Sequence, residues 1–411
     1  MSRNLDADLV SRTCKIKGRE GTYYLVRSGP NNSRVANLEP PRGEGFLVKT
    51  SDLHEIQGNL TFLDRVSNEM LEKNWFPQED HPDLPWGLKQ LRSQINTDDQ
   101  ARLLCLHMEC DHYLIPPSKE YPGDVCPVHH IRCHVSGTYT YRKEEAWRNV
   151  VANRSLFEQL NSHPFKWESR THYESSEDAM SASVLLSFKE AGLLHLIVHW
   201  ITGQAVDEKD VELFMWGISV DSLQPLDLLI AARNRFERGL PQGRPASEPD
   251  IMLRVRGKLF LILEAKFGSH NSFVIPGEGR KSPISLTHDE VLNRYNDLSL
   301  KMLDRAKGKD APVPQQLWRY AVLGEWMTTL GDPEATFYLV NLVRKGHEVQ
   351  SQDTFRDLIH EPCRERFQVL TWEDLYTLSS FERKKLARLR CYLENKTLKL
   401  RQAFDLGRKW V

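Results

Sequence analysis

The run Leu259-Phe260-Leu261-Ile262-Leu263, followed at once by Glu264-Ala265-Lys266, is the segment that most restricts the fold. Five consecutive apolar residues behind a turn signal read as a strand buried on both faces. Such a strand needs covering layers on each side, which is the α/β arrangement. Upstream, Ile251-Met252-Leu253-Arg254-Val255-Arg256 alternates, and Arg256-Gly257 signals a turn. The two segments therefore form a β-hairpin, with Asp250 where the first strand starts and Glu264 where the second ends. Side chains two apart on a strand share a face, so Glu264 and Lys266 project together. Charges at the end of so apolar a strand are costly to bury unless they are paired or hold a metal. The plainer reading is a surface ion pair, worth about 0–1 kcal/mol.

At 411 residues the chain exceeds one typical domain and suggests two or three units. With 27% charged residues and mean hydropathy −0.51, it reads as a soluble globular protein. The longest apolar stretch, Ala191 to Ile201, is broken by His195 and His199. It falls short of the roughly 18 residues a membrane span needs. Met1-Ser-Arg-Asn-Leu-Asp lacks the apolar core of a signal peptide, so a cytoplasmic location is expected. Net charge is −1. Nucleic-acid binding would therefore have to come from local patches.

Three regions are expected. Residues 1–58, rich in Gly, Pro and Asn turn signals, form a small β-rich unit. Residues 59–145 form a helical segment, with helices at Thr61–Trp75 and Trp86–Met108 and then a Cys/His cluster. Residues 146–411 hold the hairpin and a helical C-terminal segment. From Lys143 onward, helices are predicted over Lys143–Leu160, Ser176–Glu190 (capped by Ser175-Ser176, ended by Gly192), Pro225–Glu237, His288–Ala306 and Gln315–Leu330. Phe337 to Val343 reads as a second buried strand.

Pro249-Asp250 with Glu264-Ala265-Lys266 resembles the PD-(D/E)xK motif of restriction-endonuclease-like nucleases. Gln316-Leu-Trp-Arg-Tyr320 is similar to the Gln-xxx-Tyr helix motif of the RecB-like branch, and the following strand fits that branch too. The resemblance spans about 175–345. It implies a mixed central sheet flanked by helices and Mg²⁺- or Mn²⁺-dependent hydrolysis of phosphodiester bonds, with DNA as the expected nucleic acid. Asp250 and Glu264 would bind the metal, joined by the Ala265 carbonyl, and Lys266 would orient or deprotonate water or offset phosphate charge. Gln316 and Tyr320 would support the site or the scissile strand. A further metal-binding glutamate is expected on the preceding helix: Glu177 is favoured over Glu237, which sits among Arg233, Arg235 and Arg238. A hard cation held by few carboxylates, with waters and substrate phosphate completing its shell, suits this set.

Cys105-x4-Cys110 and Cys126-Pro-Val-His129 resemble the two knuckles of a zinc ribbon and would close a structural Zn²⁺ site. The first spacing is wider than usual, which leaves His107, His112, His130 and Cys133 as substitutes. Such an insert could dock DNA through Arg132, Arg142 and Lys143, with Tyr139 and Tyr141 interleaved. Other basic patches are Arg280-Lys281, after the hairpin, and a helical run of Arg383-Lys384-Lys385, Arg388, Arg390, Lys396, Lys399 and Arg401. No Walker A, His-Glu-x-x-His or Gly-x-Ser-x-Gly sequence occurs. The expectation is a metal-dependent nuclease of bacterial restriction or phage defence. Homodimerisation or defence-system partner proteins stay open. The alternative is a non-catalytic module of the same fold that binds nucleic acid or protein.

Overall fold

The computed structural model describes residues 13–17, 23–28, 32–37, 46–49 and 53–57, then 124–406 apart from 127–129, 134–137, 142, 168–169, 243–244, 399–400 and 405. The predicted helices at Thr61–Trp75 and Trp86–Met108, together with Cys105, Cys110 and His129, lie outside these residues. The chain divides into two compact units: 1–80 with 380–387 and 407–411, and 81–379 with 388–406.

The first unit contains an antiparallel five-stranded sheet, β1 (Thr13–Ile16), β2 (Tyr23–Ser28), β3 (Asn32–Asn37), β4 (Phe46–Lys49) and β5 (Leu53–Gln57), in the order β4-β3-β2-β1-β5.

The first described residues of the second unit form three short antiparallel strands, β6 (Asp124–Val125), β7 (Arg132–Cys133) and β8 (Tyr139–Thr140). Tyr139 and Tyr141 are buried in the core, so neither presents a ring face for interleaving with bases, as the sequence had suggested. The predicted helix over Lys143–Leu160 is two pieces: a 3₁₀ stretch, Lys143–Asn149, and α1, Arg154–Asn161. Asn153 caps α1 by accepting from Leu156 N, and a capping residue must itself leave helical geometry. Next come α2 (Glu177–Ala191) and α3 (Leu194–Thr202). Ser176 accepts from Ala179 N at the start of α2, and Gly192 ends it in the left-handed conformation.

The centre is a mixed six-stranded sheet flanked by helices. Its strands are β9 (Glu212–Met215), β10 (Ile218–Ser219), β11 (Ile251–Val255), β12 (Leu259–Ala265), β15 (Thr336–Val343) and β16 (Phe367–Thr371), in the order β10-β9-β11-β12-β15-β16. A small antiparallel pair, β13 (Phe273–Val274) and β14 (Val313–Pro314), lies outside it. β10 to β12 pair antiparallel through β9 and β11, while β12-β15 and β15-β16 are parallel. All seven residues of β12 are buried, as its unbroken apolar run requires.

α4 (Asp227–Phe236) precedes β11. The helix expected over His288–Ala306 is instead α5 (His288–Arg294) and α6 (Arg305–Asp310), each with its own N-cap, Thr287 and Asp304. α7 (Gln315–Gly331) packs on β12 and β15 at Gly324. A Cβ there would lie 2.1 Å from the Phe337 ring and 3.0 Å from Ile262. α8 (Val349–Asp357), α9 (Trp372–Leu378) and α10 (Ala387–Asn395) are the remaining α-helices among the described residues. Arg383 to Lys385 lie in a turn before α10, so the C-terminal basic run is not one helical face. Lys396 from that run is buried. Among the described residues no single helix is long and apolar enough to cross a membrane.

Candidate active site

The hairpin register determines the geometry. Ile251 pairs with Leu263, so the next step outward sets Asp250 opposite Glu264. Directly opposed residues have Cβ atoms roughly 4.5–5.5 Å apart. Asp250 Oδ2 accepts from Ala265 N at 2.8 Å, which leaves Oδ1 for another partner. Burial, and then the charge of Glu264, push the Asp250 carboxyl well above the usual range. Lys266 offsets this only in part, and Asp178 adds to it.

Glu264 is 1% exposed. Its Oε1 accepts from Lys266 Nζ and from Gln316 Nε2 on the first turn of α7, the latter at 2.6 Å. Its Oε2 is buried with no hydrogen-bond partner. Neither partner of the Glu264–Lys266 ion pair is on the surface, with 1% and 6% side-chain exposure, which removes the plain surface-pair reading. Burial alone would lower the Lys266 pKa, but the carboxylates of Glu264, Glu177 and Asp250 together raise it. Its backbone is pinned as well. Lys266 N donates to Leu342 O at 2.7 Å, and Trp372 Nε1 donates to Lys266 O at 3.0 Å.

Tyr320 is one helical turn beyond Gln316, and its hydroxyl donates to Glu248 O at 3.0 Å. It therefore holds the backbone leading into Asp250. Burial and Glu264 raise its phenol pKa well above the ordinary value, so the hydroxyl stays protonated as a donor.

The two helix glutamates have other partners. Glu177 Oε1 accepts from the amides of Phe267, Gly268 and Ser269 at 2.7, 3.3 and 3.1 Å, and Ser269 Oγ donates to it at 2.8 Å. It clasps the loop leaving β12. Glu237 is buried and accepts from Ser247 N at 2.7 Å, Ser247 Oγ and Tyr295 Oη at 2.7 Å. Arg280 pairs with Glu290 and reaches Pro283 O and Ser285 O.

Lys166 and Trp216, which the sequence did not single out, complete the surroundings together with Asp178 and Glu248. Lys166 Nζ lies 3.1 Å from both Asp178 Oδ2 and Glu248 Oε1, with its side chain 2% exposed. It also lies 3.9 Å from the centre of the Trp216 ring. Trp216 Nε1 donates to Asp178 Oδ1 at 2.9 Å, and Trp216 N to Asp250 O at 3.2 Å. Trp216 and Gly217 form the β9–β10 turn with φ of 54° and 86°, the pair of positive φ values a tight hairpin favours. Gly217 is required there, because a Cβ would fall 2.4 Å from Leu229. Asp178 stands beside Glu177 in the first turn of α2, and Glu248 opens the Glu-Pro-Asp triplet; those placements were the available sequence signals.

The donors available to a metal are oxygens: the free Asp250 Oδ1, the orphaned Glu264 Oε2 and the Ala265 carbonyl, which Lys266 Nζ approaches at 3.3 Å. That set fits a hard divalent ion, and an unsatisfied buried carboxylate oxygen is a group such an ion would satisfy. Among the described residues no group of three or more His, Cys, Asp or Glu side chains is placed to hold a metal. For the expected zinc ligands, Cys126 lies buried at a turn closed by Cys126 N to Ile131 O, 2.8 Å, while Cys105, Cys110 and His129 fall outside the described residues. Comparison of the chain with protein-family models, curated proteins and solved structures finds no match.

Proposed function

We propose that this chain is a metal-dependent nuclease of the restriction-endonuclease-like fold, hydrolysing phosphodiester bonds of nucleic acid, with DNA as its target. One observation carries the reading. Asp250 stands opposite Glu264 at the end of the central hairpin, Glu264 keeps a buried oxygen without a partner, and Lys266 is held against it.

Asp250, Glu264 and the Ala265 carbonyl are the groups that would hold Mg²⁺ or Mn²⁺. When bound, that ion supplies charge stabilisation at the phosphoryl group and acidifies water. The protein's own groups divide the remaining work. The carboxylates around Lys266 favour its ammonium form, which would donate to the attacking water or to a non-bridging phosphate oxygen. Gln316 orients Glu264, and Tyr320 fixes the backbone approach to Asp250. Water attacks phosphorus in line and releases its proton to bulk water, the P–O bond to the leaving strand breaks, and the departing oxygen takes a proton from bulk water. No covalent enzyme intermediate is involved. By analogy of fold alone, the biological setting would be bacterial restriction or phage defence.

The test is incubation of linear and circular plasmid, and of RNA, with and without Mg²⁺, beside Asp250→Ala and Lys266→Ala. Cleavage that needs Mg²⁺ and disappears in both variants supports the reading. Cleavage unchanged in both refutes the site. Binding of nucleic acid or protein with no hydrolysis, and no effect of metal, favours the non-catalytic module.

A further inference from the structure

Phe165 and Lys166 are turned inward, and Trp167 is turned outward. Phe165 packs against the hydrophobic core, with the Arg233 guanidinium 4.0 Å from its ring centre. Lys166 is buried between Asp178 and Glu248. Trp167 presents its indole to solvent at 63% exposure. The large apolar side chains exposed among the described residues are Trp167, Ile230, Ile284, Leu298, Leu330 and Val349, of which Trp167 is the aromatic one.

Its backbone is fixed to the candidate site. Trp167 N donates to Glu248 Oε2 at 2.8 Å, while Lys166 Nζ holds the other oxygen, Oε1, at 3.1 Å. Glu248 thus takes both its carboxylate oxygens to this segment, and its carbonyl is held by Tyr320. Glu248 is two residues before Asp250, a span of at most about 7 Å of chain. An exposed indole on a backbone pinned to Glu248, two residues before Asp250, is a planar stacking surface carried close along the chain to the candidate site. Bases offer a planar face to such a surface only when unstacked from their neighbours.

We infer that Trp167 is a stacking platform for a nucleobase flanking the scissile phosphate, and that the substrate is therefore single-stranded or frayed nucleic acid. The inference rests on the nuclease reading and deepens it. A base stacked on the indole fixes the register of the strand across Asp250 and Glu264. A fully paired duplex, whose bases stay in their own stack, gains nothing from the indole.

The experiment uses the full chain with Ca²⁺ in place of Mg²⁺. It measures Kd for a single-stranded oligonucleotide, for the matching blunt duplex, and for a series in which one abasic residue is walked along the single strand. Trp167→Ala is expected to weaken single-strand binding roughly 5- to 150-fold. Trp167→Phe should restore most of it, and duplex binding should be unchanged. One abasic position should weaken wild type while leaving Trp167→Ala unaffected. Equal losses on single strand and duplex, or no loss in Trp167→Ala, overturn the inference. If in that case Mg²⁺-dependent cleavage by wild type persists and Asp250→Ala abolishes it, the nuclease reading survives alone. If wild type neither binds nor cleaves any of the nucleic acids, both fail.

Discussion

Gln316 Nε2 donates to Glu264 Oε1 at 2.6 Å, tying the first turn of α7 to the end of β12 across 52 residues of sequence. Glu264 Oε1 is thereby saturated by Gln316 and Lys266, so Oε2 remains the oxygen available to a metal. Gln316→Ala should free the carboxylate to rotate. Partners that orient a metal ligand are typically worth about 10–100-fold in metal affinity or activity. The expected outcome is a higher Mg²⁺ concentration for half-maximal cleavage, read by titrating metal at saturating substrate. An unchanged metal dependence would show that Gln316 does not orient the ligand.

Asp250→Asn should abolish cleavage and yet melt at a higher temperature than wild type in EDTA at pH 7. The sign follows from the raised carboxyl pKa, caused by burial and by Glu264. Below the ordinary aspartate range both folded and unfolded chains carry the proton, and the residue has no effect on stability. As pH rises above that range, the unfolded chain ionises first and folding loses stability until pH passes the raised value. The stability gap between variant and wild type should therefore close near pH 3–4, where model aspartate titrates. Thermal melts from pH 3 to 8 measure it, and excess Mg²⁺ should narrow the gap by stabilising wild type alone.

Lys266→Met removes the ammonium that Glu264, Asp250 and Glu177 all raise. Breaking one side of a buried pair typically costs about 3–5 kcal/mol. We expect a lower Tm in EDTA, a larger Tm gain on adding Mg²⁺ than wild type shows, and no cleavage. A variant that melts like wild type without metal would mean that the Glu264 carboxylate is solvated rather than enclosed.

Gly324→Ala should destabilise the chain by about 1–3 kcal/mol, the usual range for overpacking. The new Cβ would fall 2.1 Å from Phe337 on one side and 3.0 Å from Ile262 on the other. Because α7 carries Gln316 and Tyr320, the displaced helix should also slow cleavage. Chemical denaturation and kcat measured on the same preparation test both effects.

Lys396 gives a pH effect of the opposite sign from Asp250. Burial lowers its pKa to about 8, with Glu174 countering in part. Its ammonium reaches Asn149 Oδ1 at 2.7 Å and Glu174 O. The folded chain therefore disfavours the charged form. Relative stability is greatest above the ordinary lysine pKa near 10.5, falls as pH drops toward 8, and levels off below that. The stability difference between Lys396→Met and wild type should change by about 3 kcal/mol across that window and level off below about pH 7. Denaturation series at pH 7, 8, 9 and 10 are the measurement.

The hairpin was legible because Leu259 to Leu263 has one reading at that length, and the charges beyond it had to be accounted for. The Gln315–Leu330 helix and the Phe337–Val343 strand carried similarly strong patterns. β16 was missed because Phe367-Gln-Val-Leu-Thr is a half-buried edge strand without a continuous apolar run, and its place is set by parallel pairing with β15. The β9–β10 hairpin depends on a tryptophan at positive φ, which local propensity disfavours and burial of the ring compensates. Helices drawn through 150–153 and 295–304 ran past capping residues, Asn153 and Asp304, that only their hydrogen bonds reveal. Lys166 gave no sequence signal, because its partner Glu248 is 82 residues away.

Adjacent residues at the start of α2 face different tasks: Asp178 secures Lys166 and the Trp216 turn, while Glu177 gathers three amides beyond β12. One helix end thus sutures three stretches of chain, at Lys166, at Trp216 and at 267–269. The amides of 267–269 all donate to one carboxylate oxygen, Glu177 Oε1. Their deuterium uptake should keep pace with that of α2 itself, making this corner of the molecule a single opening unit rather than a loop hung on a rigid sheet.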